Sequence, residues 1–269
     1  MADKIVYRVE DGMNRKELKA TTYQMRNFYH QFRDGFFTIL DVMNYIQHYS
    51  IVMMMKPEWE VLDMCCGRSL LLPMIRYYAK DINSYTGIDI DSSNMVGDKI
   101  NICNGKPINP QEHYPFKVKM VSGDVAKMPF QDNSFHFIVY TSSIEHMQKV
   151  DGEKSIHEAY RVLKPGGIMV LSCPNTPEDQ NGYNTQYRAH IYEWKISELE
   201  TEFKRAHFKV LNRIGLVSRK RDVDTLLDKS PFAQPFQTIK SFIPGIFYIP
   251  VLSAPFYQIA KEVLYVVKK

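Results

Sequence analysis

Apolar positions change period near residue 58, and that change organises the chain. Before it, Phe28, Phe32, Phe36, Phe37, Ile39, Leu40, Met43 and Ile46 recur at spacings of three and four, the period of helices that bury one face. Residues 14–55 therefore read as two helices, ended by Val52-Met53-Met54-Met55 and Pro57, because proline disfavours helical backbone in the residue before it. Covering a sheet edge and roofing a pocket with adaptable Met and aromatic side chains are both consistent with the pattern. From Glu58 onward, short apolar runs at 59–63, 84–90, 117–121, 135–141 and 167–173 read as strands, with helices near 69–80, 93–101 and 151–163 between them. Such alternation gives a parallel sheet with helices on both faces. A helix at 196–206 and a strand at 208–217 follow, and Glu262 to Val267 reads as a strand returning to the sheet. The expected division is an N-terminal helical cap (1–56), a core (57–217), a Pro- and Phe-rich lid or substrate insertion (218–258) and a final core strand (259–269).

Composition narrows the classes. The 269 residues, 45% of them hydrophobic, suffice for a substantial core. A net charge of +4 is too mild for a nucleic-acid-binding arm, and Arg219-Lys220-Arg221 reads as a solvated loop. Cys65, Cys66, Cys103 and Cys173 fit neither a disulfide framework nor zinc-site spacing, which points to a reducing, cytoplasmic setting. The N-terminus, MADKIVYRVEDG, lacks the apolar stretch of a signal peptide. The apolar stretch 242–257 is interrupted by Pro244, Gly245, Pro250 and Pro255 and is too short to span a bilayer. Apolar lid, homodimer contact and membrane-surface contact stay open for it.

Four motifs occur in order: VLDMCCGRS (61–69), YTGIDID (85–91), VSGDVAKMPFQDNSF (121–135) and YRVLKPGGIMVLSCPN (160–175). Together they resemble class I S-adenosylmethionine (SAM) dependent methyltransferases of the type 11 kind. The resemblance implies a Rossmann-like, seven-stranded, mostly parallel sheet with SAM bound beyond the carboxyl ends of the strands. It assigns Asp63 to the methionyl ammonium and Cys65-Cys66-Gly67 to the turn beneath the cofactor. It assigns Asp89, with the adjoining Ile90, to the ribose hydroxyls, Asp91 being the competing acid. Asp124 and the Val125 N–H fall to the adenine, and Thr141 to the methionyl part. Cys65 and Ser69 stand where the family's outer glycines are usual, and a nicotinamide fingerprint is absent because only Gly67 is present. Phe130, Phe135 and His136 read as structural, as does the KPGG turn.

The acceptor side is read from Ser142-Ser143-Ile144-Glu145-His146 and from YRAHIYEW (187–194). The Asn/Asp-Pro-Pro-aromatic motif of DNA base methyltransferases is not there. The stretches are similar to metal-dependent O-methyltransferases of ubiquinone synthesis and of small-RNA termini. That similarity implies Glu145, His146 and His190 as ligands of Mg²⁺ or another divalent ion, with Ser142 replacing a glutamate ligand. Without a metal, His146 or His190 is the candidate base, and a structural Glu-His pair is the third option. The expected function is SAM-dependent O-methylation of a small molecule's hydroxyl. RNA terminal ribose 2′-O-methylation is the runner-up, and a non-catalytic SAM-binding module is the third reading.

Overall fold

A computed structural model describes residues 39–92, 95–96, 99–100, 108–185, 189–218, 220–231, 233–243 and 245–269. The expected first helix, with Phe28, Phe32, Phe36 and Phe37, lies outside them. Helix α1 spans Ile39–Met53, strand β1 Glu60–Met64, α2 Leu72–Tyr78 and β2 Ser84–Asp89. Strands β3 (Lys117–Ser122) and β4 (Phe135–Thr141) follow, then α3 (Lys149–Val162), β5 (Leu163–Pro174), α4 (Ile196–Arg205) and β6 (Lys209–Val217). Three helices, α5 (Lys220–Asp228), α6 (Ala233–Phe242) and α7 (Gly245–Ser253), precede β7 (Glu262–Lys268).

The seven strands form one sheet in the order β3-β2-β1-β4-β5-β7-β6. The first five run parallel, and β7 pairs antiparallel with both β5 and β6. Strand order reverses between β1 and β4, so the carboxyl ends of these two strands flank the natural crevice for a ligand.

Side chains alternate between faces, which is why both faces carry a core. Leu62, Ile138, Tyr140, Met169, Leu171 and Tyr265 face Ile156, Ala159 and Val162 of α3 and Leu199 and Phe203 of α4. Val61, Tyr85, Phe137, Val139, Val170 and Leu264 face α1, α2, α6 and α7 through Met43, Ile51, Leu72, Ile75, Phe236 and Ile249. Among the described residues no helix is long and apolar enough to cross a membrane.

Three expectations change. Residues 95–100 contain a short antiparallel ribbon, Met95–Val96 with Lys99–Ile100, where a helix near 93–101 was expected. Asp91, Ser92 and Asn94 ahead of it are turn formers that favour local side-chain bonds over helix. The helix expected from residue 69 starts at Leu72, because Ser69 is held at φ +52°. Strand β5 begins at Leu163, not near 167, and pairs first with Phe135 and then, after a register shift, as Ile168 with Phe137. The KPGG turn is that shift. Gly166 sits at φ +79°, and a Cβ on Gly167 would come 2.9 Å from the His136 carbonyl oxygen. The Pro- and Phe-rich stretch between β6 and β7 is helical, and it packs on the α1 face of the sheet.

Leu264 is fully buried on β7, paired with Ser172 of β5 and Ile214 of β6. Leu264→Ala should cost about 2–5 kcal/mol, the range for a buried leucine truncated with partial relaxation. Urea unfolding checks this; a midpoint unchanged from wild type would contradict a core role for the returning strand.

Candidate functional site

The turn after β1 is built from an unusual backbone. Cys65, Gly67 and Ser69 have φ of +55°, +48° and +52°, so the two non-glycine residues adopt the conformation that glycines favour. The loop is tied to β2. Cys66 N–H donates to the Ile88 carbonyl at 3.1 Å, and Gly67 N–H donates to Asp89 Oδ2 at 2.7 Å. The other oxygen of Asp89 accepts from Asp91 N–H at 2.8 Å.

Asp63 ends β1 almost completely buried, accepting from the Tyr85 hydroxyl at 2.6 Å. Burial pushes its pKa up to about 7; the Tyr85 hydroxyl opposes the rise and the Asp89 charge adds to it. Burial, with the neighbouring carboxylates, also pushes the Cys65 and Cys66 thiols up, so both are inert thiols.

A cavity of about 430 Å³ opens above this turn. Asp63, Cys65, Cys66, Gly67 and Arg68 line one side, Thr141, Ser142 and Ser143 at the end of β4 another, and Asn44 and His48 of α1 a third. The imidazole of His48 is buried, which lowers its pKa to about 4.

Beyond Ser143 along the chain lies the cluster of Glu145, His146 and His190. A 3-10 turn, Ile144–His146, carries Glu145 and His146. The Glu145 carbonyl accepts from both Ile191 N–H (2.7 Å) and Tyr192 N–H (3.1 Å), which brings His190 alongside. Ligand atoms of Glu145, His146 and His190 lie within 4.8 Å of one another, and the two imidazoles meet edge to face at 4.9 Å. His146 Nδ1 bonds the Ala189 carbonyl at 3.0 Å, and His190 Nδ1 bonds Glu193 Oε1 at 2.6 Å. Glu145 is 2% exposed, and its Oε2 has no hydrogen-bond partner. Burial, then the charges of Glu262 and Glu193, push its pKa up to about 8 against its backbone donors. Glu262, at the start of β7, accepts from the Ser142 hydroxyl at 3.1 Å and is pushed up to about 7 by burial.

The structure thus groups Asp63, Cys65, Cys66, Gly67 and Thr141 around one cavity and Glu145, His146 and His190 into one cluster. Asp89 is half-buried behind the loop it holds, and Ile90 is 79% exposed. Asp124 is exposed and accepts from Ala126 N–H at 2.8 Å, while the Val125 side chain is part of the core. None of these four lines the cavity. His136 sits at the far end of β4, bonded to Glu60 and stacked on Trp59; Trp194 is buried beside Tyr192. The sequence reading missed Asn44, His48, Arg68, Ser143 and Glu262. The first two had a visible signal, polar residues four apart on an apolar helix stripe. Glu262 had none beyond being an acid at the head of an apolar strand.

Residues 62–171 match the family model described as a methyltransferase domain. A demethylmenaquinone methyltransferase of Desulfitobacterium hafniense (strain Y51) is 30% identical over 131 residues, 48% of this chain and 48% of that protein. A sterol 24-C-methyltransferase of Schizosaccharomyces pombe is 31% identical over 153 residues, 56% of this chain and 38% of that protein. The chain spans about half the length, or less, of these curated relatives. The crystal structure of the cyclase SpnF shares the fold, with a TM-score of 0.55 at 16% identity over 84% of this chain and 80% of that one. Residues 62–171 therefore resemble a methyltransferase domain, and the sheet they help to build is Rossmann-like.

The buried acid of β1 has a consequence for stability. An acid whose folded pKa is raised stabilises the fold while protonated, so Asp63 contributes fully below about pH 4. It loses that contribution as pH rises toward 7. Asp63→Asn should raise the melting temperature of the ligand-free protein at pH 8, by up to about 4 kcal/mol in stability, and flatten its decline between pH 4 and 7. Superimposable melting profiles for the two proteins across that range would contradict the burial of a charged Asp63.

Proposed function

We propose that this protein is a SAM-dependent methyltransferase that methylates an oxygen of a small molecule. The observation that carries the reading is adjacency along the chain: Thr141, Ser142 and Ser143 wall the cavity over Asp63 and Gly67, and the Glu145–His146–His190 cluster starts two residues beyond Ser143. The donor side fits SAM. Asp63 is a buried carboxyl placed for an ammonium, and the left-handed turn 65–69 leaves no side chain over Gly67. Bound SAM supplies an electrophilic methyl on a sulfonium. The protein's share is alignment, exclusion of water and removal of the acceptor's proton.

His146 is the proton acceptor in this reading, oriented by the bond from its Nδ1 to the Ala189 carbonyl, with its Nε2 4.0 Å from Glu145 Oε1. His190 is positioned by Glu193 and backs the His146 ring. Burial raises the Glu145 pKa to about 8, and its buried Oε2, without a partner among the described residues, is the group this reading offers to the acceptor oxygen.

The same three side chains fit a divalent ion. Imidazoles anchored through their other nitrogen are what metal sites use, and two imidazoles with one carboxylate suit zinc, manganese or iron better than Mg²⁺. Such an ion would polarise the acceptor oxygen. The name of the yeast relative, a sterol 24-C-methyltransferase, favours a second reading in which carbon is the acceptor. The deprotonating groups serve an enolic or phenolic carbon nucleophile equally well.

Labelled methyl from SAM should enter a small-metabolite fraction of host extract. Loss of label with EDTA supports the metal, persistence supports His146 as base, and label in RNA or none at all overturns the small-molecule reading. The position of the label, on oxygen or carbon, separates the two acceptors. His146→Ala and His190→Ala should lower kcat about 10²- to 10⁴-fold, the usual worth of a positioned base, with SAM affinity within twofold of wild type. Turnover retained in both variants would remove the pair from the chemistry.

A further inference from the structure

Helix α1 buries a polar patch where its stripe should be apolar. Met43, Ile51 and Val52 are buried as an amphipathic helix requires, but Gln47 and His48 are buried with them, at 1% and 5% exposure. Asn44, Gln47 and His48 lie at i, i+3 and i+4, on one side of the helix. Gln47 has a structural use, donating through Nε2 to the Ser172 hydroxyl at 2.9 Å, which pins α1 across the end of β5. His48 has none. Its Nδ1 is buried without a hydrogen-bond partner among the described residues, and His48 lines the same cavity as Asp63 and Arg68, with Asn44 one helical turn before it. Buried polar atoms are almost always paired, so an unpaired one on a residue that lines a cavity points to a ligand that pairs it.

The cavity's chemistry says which part of which ligand. Its walls carry a carboxyl at Asp63 and a guanidinium at Arg68, complementary to the ammonium and carboxylate of an amino acid. An amide and an imidazole supply the further donors and acceptors that such a zwitterion takes up. We propose that α1 completes the cofactor site, His48 and Asn44 binding the amino-acid end of SAM from the helix that lines the cavity with the β1 turn. The assignment rests on the SAM-dependent reading above. An imidazole rather than an ammonium suits this place, since burial keeps His48 uncharged beside a sulfonium.

Calorimetric titration of the full chain with SAM and with 5′-methylthioadenosine, which lacks the amino-acid end, tests this without any acceptor. His48→Leu should weaken SAM binding at least tenfold and leave methylthioadenosine binding within twofold. The ligand-free melting temperature should stay equal or rise, because an unpaired buried polar atom has been replaced by an apolar one. Asn44→Ala should weaken SAM alone by a smaller factor. SAM affinity within twofold in His48→Leu overturns the assignment, as does an equal loss for both ligands. A fall in ligand-free melting temperature alongside the lost affinity also overturns it, since the ring would then be packing. If wild type binds neither ligand, the SAM reading itself is wrong and the assignment goes with it.

Discussion

The upper edge of the sheet depends on one hydrogen bond, from the Gly67 N–H to the carboxylate of Asp89. Parallel pairing of β1 with β2 puts Asp63 beside Gly87 and brings both strand ends to the same height, and the bond then fixes the turn that leaves β1. The turn needs fixing because it holds Cys65 and Ser69 in left-handed backbone, at roughly 1–2 kcal/mol each for residues with a Cβ. Strain of this size persists only where the surroundings over-determine it. Here the surroundings are the Asp89 carboxylate, the Ile88 carbonyl and the packing of Ser69, which is 2% exposed. The turn's conformation keeps side chains away from the space above Gly67, and that space is the cavity. Asp89 thus acts on the site through the turn, whatever else its carboxylate also binds.

A second constraint is electrostatic. Asp63 near the end of β1, Glu145 on the turn after β4 and Glu262 at the start of β7 have pKa values raised to about 7, 8 and 7. Burial is the leading cause in each case. Holding several carboxyls out of water is costly unless something cationic or hydrogen-bonding arrives, so ligand-free folding is being traded against binding. Perturbed acids gathered together are a common pattern at functional clefts, and here they fall into two groups. Asp63 faces the space over the β1 turn, while Glu145 and Glu262 surround the region beyond Ser142.

The sheet was legible because it rests on short-range pattern. Apolar runs such as Val61–Asp63 and Phe135–Thr141 announced their strands, and GIDID and SGDVA marked the ends of β2 and β3. The region 93–101 misled because Met95, Val96 and Ile100 have apolar spacing compatible with either a helix or a ribbon, and periodicity alone does not choose between them. The grouping of Glu145 with His190 followed from resemblance and not from spacing. The contact that makes it, Ile191 and Tyr192 N–H on the Glu145 carbonyl, spans more than forty residues. Glu262 was out of reach for the same reason. Nothing in its neighbourhood says that β7 will run antiparallel between β5 and β6 and set its first residue against Ser142.

That antiparallel return decides how the region around Ser142 is built. The carboxyl ends of β4 and β5 meet the amino end of β7, so a side chain from near the end of the chain enters a site framed by its middle. Ser142 N–H bonds the Ser172 carbonyl at 2.9 Å, and its hydroxyl bonds Glu262. Gln47 of α1 bonds the Ser172 hydroxyl. Four elements far apart in sequence are therefore joined by one short run of polar contacts directly beside the cavity. Buried polar networks of this kind are sensitive to the loss of any member, because each deletion leaves another group unpaired. The relative placement of α1 and β7 is accordingly not a matter of generic apolar packing. Ser172 holds both, and a change there alters the placement of α1, which carries His48, and of Glu262 together.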